Sequence, residues 1–385
     1  MRQFSLLFGF FLVLGQLTLA QNSNVEKVLH LDGSTARPGY VKEGVFKLKG
    51  DQLYYLNILT NEIKIFDFQS GKTINTIPLE KEGPNAVGPM PYTFHLISED
   101  SILVYSDFTD HRMFLVNSRG TVLDKFNMSE TGISGTDLPG LISDGNNAIV
   151  VRDNVIYAAK IIRDYPLLEK LSPVIQYSME SKKSMTFAGP MQYPGEMLNR
   201  VPMIDQVLAP NLVYNQKEDV MVLSYPLDNH LYISKDGFKT FSKIEATSRA
   251  GRQVTLLKED YDKLPFPKFK EQGVETMRLS VQYLNLIYDE YRNCYYRVVR
   301  VPHDKKKYSD YKKGVRAKLG PPEYSVMTLD AQFKVKSEVN FTLKEYRIDM
   351  GVFVSPEGLW LLKPQTENED EMIFELLSKS EKNEN

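Results

Sequence analysis

The side chains able to do chemistry are scattered along this chain rather than gathered in motifs. Its five histidines are His30, His95, His111, His230 and His303. None stands at the HxH or HExxH spacing that turns two imidazoles toward one transition metal. No Asp-rich calcium loop is visible, and neither a GxSxG nucleophile turn nor a phosphate-cradling glycine loop occurs. The expectation is therefore no recognisable catalytic set, no metal and no cofactor. The single cysteine, Cys294, lies in the alternating stretch DEYRNCYYRVVRV. It has no partner for an internal disulfide and is read as a strand residue rather than a nucleophile. Cleaving a glycosidic bond would need two facing acids, or a Tyr with an acid partner. With 49 acids and 22 tyrosines such a pair has room to exist, but no spacing singles one out. Residues 303–318, HDKKKYSDYKKGVRAK, gather seven Lys and Arg around Tyr308 and Tyr311. That run suits contact with an acidic glycan, an anionic surface or a protein partner; more simply, it is a solvated connection between two strands.

Composition narrows the frame in which these residues sit. The chain has 385 residues, 42% of them hydrophobic, enough for a large core and too polar for a multi-span membrane protein. Lys plus Arg number 47 against 49 Asp plus Glu, so no charge excess points to nucleic acid. The N-terminus, MRQFSLLFGFFLVLGQLTLAQ, has a basic Arg2, an apolar run and small residues before a cut at Ala20. This is the pattern of a secretory signal peptide over residues 1–20, with an uncleaved anchor as the alternative. The expected protein is exported, periplasmic or extracellular, with no spanning segment after cleavage. Gln21 rather than Cys follows the cut, so a lipoprotein anchor is not evident.

From residue 21 onward the chain repeats. NEIKIFDFQSGKTINTIPL (61–79) and HRMFLVNSRGTVLDKFNM (111–128) share a strand, a polar turn and a second strand, with Gly71 and Gly120 at the same place in the turn. Weaker copies are SPVIQYSMESKKSMTFAG (172–189), NHLYISKDGFKTFSKIEA (229–246), EYSVMTLDAQFKVKSEVNF (323–341) and the C-terminal DEMIFELLSKSEKNEN. Another hairpin pattern precedes each of them. Two hairpins make a four-stranded antiparallel sheet, and repetition at roughly 50–60 residues is the mark of a β-propeller. The expectation is an all-β, six-bladed propeller as a single domain over 21–385. Its blades fall at about 44–79, 92–128, 146–189, 211–246, 280–341 and 347–378. The last unit lacks a fourth strand, and NVEKVLHL (24–31) is unassigned. Placing 24–31 in the last blade closes the ring and pairs an otherwise open edge. A miscounted third unit would instead give five or seven blades. Segments 129–145, 190–210, 247–275 and 302–322 are long, loop-like insertions, with at most a short helix within 257–269; loops of that length are often functional.

Two motifs take their meaning from this frame. SKDGFKTF (234–241) resembles the Asp-box of sialidase-type propellers, with Ser234, Asp236 and Thr240 in place and Phe241 for the tryptophan. An Asp-box braces a turn by hydrogen bonds to its own backbone, away from the active site, so it indicates a hairpin and only weakly a glycosidase. In YRNCYYR, Arg292, Cys294 and Tyr296 alternate with Asn293, Tyr295 and Arg297, and one set must face a neighbouring blade, where Tyr and Arg tips satisfy buried backbone groups. Inner strands line a propeller's channel, whose mouth is the usual ligand site. On this strand assignment His95, Tyr214 and Arg347 are candidate lining residues.

The order NEIKIFDFQSGKTINTIPLEKEGPN, SEDSILVYS and LVNSRGTV, with YDEYRNCYYRVVRVP and FVSPEGLWLL further on, resembles the DUF4221 family, exported proteins of Bacteroidota of unknown function. The resemblance spans nearly all of the chain after the signal and implies a six-bladed propeller and an exported compartment. It brings no reaction and no catalytic residues. Many of those proteins resemble lipoproteins, with a Cys after the signal, and Gln21 departs from that pattern. The expected function is a monomeric, non-catalytic binding or scaffold propeller for a protein or glycan ligand. The alternative is a carbohydrate-active enzyme of glycoside hydrolase or lyase type, with acids or tyrosines at the channel mouth. A structural component of an envelope assembly is a third reading. Fold cannot choose among them.

Overall fold

The computed structural model describes residues 25–32, 45–89, 91–106, 112–127, 149–159, 174–186, 200, 210–260, 263–348, 351–364 and 368–377. The signal segment 1–20, the insertion 129–145 and nearly all of 190–210 lie outside them. Strand β1 (Glu26–His30) comes first and joins the ring last. Blade I is β2 (Val45–Lys49), β3 (Gln52–Asn57), β4 (Glu62–Asp67) and β5 (Thr73–Pro78). Blade II is β6 (Pro91–Ser98), β7 (Ser101–Ser106), β8 (Arg112–Val116) and β9 (Val122–Asn127). Blade III is β10 (Ile149–Arg152), β11 (Val155–Ala159), β12 (Val174–Ser178) and β13 (Lys183–Thr186). Blade IV is β14 (Asn211–Asn215), β15 (Val220–Ser224), β16 (His230–Ser234) and β17 (Ser242–Glu245). Blade V is β18 (Gln282–Asp289), β19 (Cys294–Val301), β20 (Glu323–Leu329) and β21 (Val335–Thr342). Blade VI is β22 (Val352–Val354), β23 (Leu359–Leu362) and β24 (Glu371–Leu376), completed by β1. All six sheets are four-stranded and antiparallel, and together they form a six-bladed β-propeller.

Closure by the N-terminal strand is explicit in the register. Leu29 faces Met372 and Val28 faces Ile373 across β1 and β24. Glu26 falls directly opposite Glu375, a like-charge pairing that disfavours a sheet. The Lys363 ammonium resolves it, lying 2.9 Å from Glu26 and 3.0 Å from Glu375. Both carboxylates hold the Lys363 pKa above the ordinary lysine value.

Period-two alternation explains why each blade is apolar on both sides. Along β3, Leu53 and Tyr55 pack with Phe353, Trp360 and Phe374 of blade VI. Their neighbours Tyr54 and Leu56 pack with Phe94, Ile102, Val104 and Phe114 of blade II. The sole tryptophan, Trp360, sits edge-on to Phe68 at 5.7 Å in the VI–I seam. Gly71 and Gly120 occupy equivalent turns for a reason beyond backbone conformation. Both have φ near the left-handed region, +69° and +80°, and both press against the outer strand of the preceding blade. A Cβ on Gly71 would meet the Val28 carbonyl oxygen at 1.9 Å, and one on Gly120 the Pro78 oxygen at 2.0 Å.

The connections corrected one expectation. Two helices occupy segments read as loops: α1 (Phe266–Leu279) and α2 (Lys305–Lys312). Helix α1 starts where a short helix within 257–269 was expected to end. Pro267 sits in its first turn, where a missing N–H costs nothing. Asp304 caps α2 by accepting from the Lys307 N–H at 2.8 Å. Antiparallel order fixes where they emerge. Connections between second and third strands, and between blades, share the face on which inner strands begin. Both helices lie in connections of these two kinds, while first and third hairpins turn on the opposite face. Among the described residues no helix is long and apolar enough to cross a membrane.

Candidate functional site

Six inner strands, β2, β6, β10, β14, β18 and β22, converge on one central cavity of about 450 Å³. Thirteen of its nineteen lining residues are apolar; the others are Lys47, His95, Tyr214, Gln216, Tyr288 and Glu290. Gln216 and Glu290 belong to turns that follow inner strands, and both are exposed, as is Ile97 near the end of β6. The cavity therefore opens on the hairpin face, opposite α1 and α2.

Lys47 and His95 line the cavity from adjacent blades, each half-buried. Burial brings the Lys47 amine down to about 8. His95 is pushed down to about 4, chiefly by burial and then by the charge of Lys47, against which a hydrogen bond to the Ile149 backbone works. At neutral pH the wall thus carries a neutral imidazole and an amine that is still mostly protonated.

The mouth is stitched by side chains from blades III, IV and V. Tyr214 donates its hydroxyl to Asp219 Oδ1 at 2.9 Å, and Arg152 binds Asp219 Oδ2 at 2.8 Å while lying over the Tyr214 ring at 5.9 Å. Burial, then Asp219, raises the Tyr214 pKa. Tyr288 donates to Asn293 Oδ1 at 3.0 Å. Gln216 donates to Glu290 Oε2 at 2.8 Å, and the Lys217 ammonium donates to the Glu290 carbonyl. Both tyrosine hydroxyls are thereby tied to protein partners, and their rings line the opening.

The three residues proposed from sequence divide. His95 and Tyr214 lie on the cavity wall. Arg347 precedes β22 by five residues, is half-buried outside the lining, and its N–H bonds the Leu362 carbonyl at 2.6 Å. Lys47 and Tyr288 were not singled out. The signal for Lys47 was a cation between Phe46 and Leu48 in the first strand of a blade, the position that faces the channel.

The two motifs serve the frame. Asp236 accepts from the Thr240 N–H at 2.9 Å and from its hydroxyl at 2.7 Å, and Ser234 Oγ accepts from the Phe238 N–H at 2.7 Å. This Asp-box turn meets blade III through a hydrogen bond from Gln176 to the Gly237 carbonyl. Arg297 is fully buried. Its guanidinium lies 3.6 Å from the centre of the Tyr283 ring and donates to the carbonyls of Asn229, Ala246, Asp228 and His230 and to Ser224 Oγ, all of blade IV and its flanking loops. Arg292 turns the other way, to Asp289 at 2.6 Å and to the Ser355 and Pro356 carbonyls of blade VI.

Fold and cavity together define a six-bladed propeller with a central receptacle of mixed polar and apolar lining. The chain belongs to the family described as a domain of unknown function, DUF4221, whose profile matches residues 29–338. It is similar to the crystal structure of a DUF4221 member from Bacteroides vulgatus, at 21% identity and a TM-score of 0.71, covering 91% of this chain and 96% of that one. It is also similar to a candidate exported protein of Bacteroides fragilis, at 12% identity and a TM-score of 0.53, covering 93% and 98%. No curated protein matches the chain.

Proposed function

We propose that this protein is an exported, non-catalytic binding propeller that takes an end group of a protein or glycan ligand into its central cavity. One observation carries the reading: six inner strands frame a central cavity rimmed by Tyr214 and Tyr288, whose hydroxyls are engaged and whose rings line the opening. Aromatic rings with fixed polar tips give large contact area at low entropic cost. The volume lies in the range of pockets that enclose small ligands. Among the described residues Glu290 is the one carboxylic acid lining the cavity, whereas a hydrolase built on two facing carboxyl groups needs a pair. The Tyr214–Asp219 pair at the mouth is already engaged by Arg152. Export rests on the signal pattern of residues 1–20.

Peptide and glycan arrays probed with the purified protein test this. Binding to at least one class is expected, weakened about tenfold or more by Tyr288→Ala, a loss of about 1.4 kcal/mol. Turnover of a bound glycan, or binding indifferent to Tyr288→Ala and Lys47→Met together, overturns it.

A further inference from the structure

The insertion face of blade V carries a surface that the channel reading does not use. Residues 263–279 and 303–318 hold eleven Lys and Arg against four Asp and Glu, in a chain whose net charge is −2. The rest of the molecule is therefore acidic, and this excess is concentrated on α1, α2 and their flanks. The two helices pack antiparallel. Lys312 pairs with Glu271, the Arg278 guanidinium lies over the Tyr311 ring at 5.8 Å, and the His303 N–H bonds the Arg278 carbonyl at 2.8 Å. Hence the start of α1 and the end of α2 lie at the same end of the pair. Buried Gly273, Thr276, Leu279 and Tyr308 hold the helices to the protein. Lys305, Lys306, Lys307, Lys313, Arg316 and Lys318 are all exposed, as are Lys268 and Lys270.

The same end presents two apolar side chains to water. Phe266 is 74% exposed and Val315 76%, the highest values among the described large hydrophobic residues. Each is flanked by cations: Lys268 and Lys270 beside one, Lys313 and Arg316 beside the other. A polyanion in solution would be held by the charges alone and would leave Phe266 and Val315 without a use. A bilayer with anionic headgroups takes both, cations at the phosphates and apolar tips at the acyl boundary.

We propose that the α1–α2 cap of blade V is a peripheral docking surface for an anionic lipid membrane. Binding is electrostatic first and falls with ionic strength. Phe266 and Val315 then add a contribution that salt does not screen. No lipid enters the channel, and the surface is independent of the cavity reading.

Co-sedimentation of the mature protein with phosphatidylglycerol–phosphatidylcholine vesicles tests the proposal. Partition to these vesicles is expected, with weak partition to pure phosphatidylcholine and loss in high salt. The charge-reversed variant Lys305→Glu/Lys306→Glu/Lys313→Glu should lose at least about tenfold in partition. Phe266→Ser/Val315→Ser should lose binding while keeping its dependence on salt. All these positions are exposed, and thermal melting should match the wild type. Equal binding to neutral and anionic vesicles overturns the proposal. So does capture of a soluble acidic polysaccharide without vesicle binding, or full vesicle binding by the charge-reversed variant.

Discussion

His95 and Lys47 share one wall, and their protonation bears on stability. In the folded protein His95 titrates at about 4, against 6.5 in a free chain. Between those values the unfolded chain binds a proton that the folded one does not, so stability rises with pH across this window. The contribution is fully present above about 6.5 and is lost as pH falls toward 4. Water in the open cavity moderates it, to about 1–3 kcal/mol. Urea unfolding at pH 4.5 and 7.5 should show a smaller pH dependence for His95→Gln than for the wild type; identical curves would refute the linkage. The hairpin pattern put His95 in an inner strand, while alternation left open whether it faced the channel or turned sideways into the core; it lines the cavity. Arg347 was misplaced because the polar stretch before β22 continues the alternation, while the chain there is turned back by its own backbone bonds to Leu362 and Gly351.

Elements were easiest to read where backbone geometry leaves a residue-type signature. Ser234, Asp236 and Thr240 announced a turn, and that turn is held as their types require. Gly71 and Gly120 announced equivalent positions, but their contact with the preceding blade is a three-dimensional fact that no spacing encodes. Gly50 provides the control, with φ +58° and open space around it. Gly50→Ala should cost about 1 kcal/mol, the penalty of a left-handed residue. Gly71→Ala should cost at least about 3 kcal/mol, because the added carbon meets a carbonyl. Equal denaturation midpoints for the two variants would show that the close approach has no energetic weight. Helices α1 and α2 were missed for a simple reason. Their exposed faces are lysine-rich and their buried faces are narrow, so no broad apolar stripe marks them.

At the scale of the whole molecule, the ring is fastened by five residues contributed from the other end of the chain. The sequence reading found this by counting strands, since a six-unit repeat missing one strand must recover it elsewhere. Removing residues through Asp32 exposes the edge of β24 and strips Leu29 and Leu31 from the VI–I core. The expected result is a Tm at least about 10 °C lower, with self-association on size-exclusion chromatography. A truncated chain that stays monomeric and melts like the parent would refute closure by β1 as a stabilising device.

Helices α1 and α2 and the cavity mouth lie at opposite ends of the ring axis. Inner strands of three to eight residues span the distance between them, about 10–26 Å of extended chain. Such a body can act as a spacer. Whatever it rests on and whatever it grips are kept apart by one layer of sheet, and each side can be altered without disturbing the other.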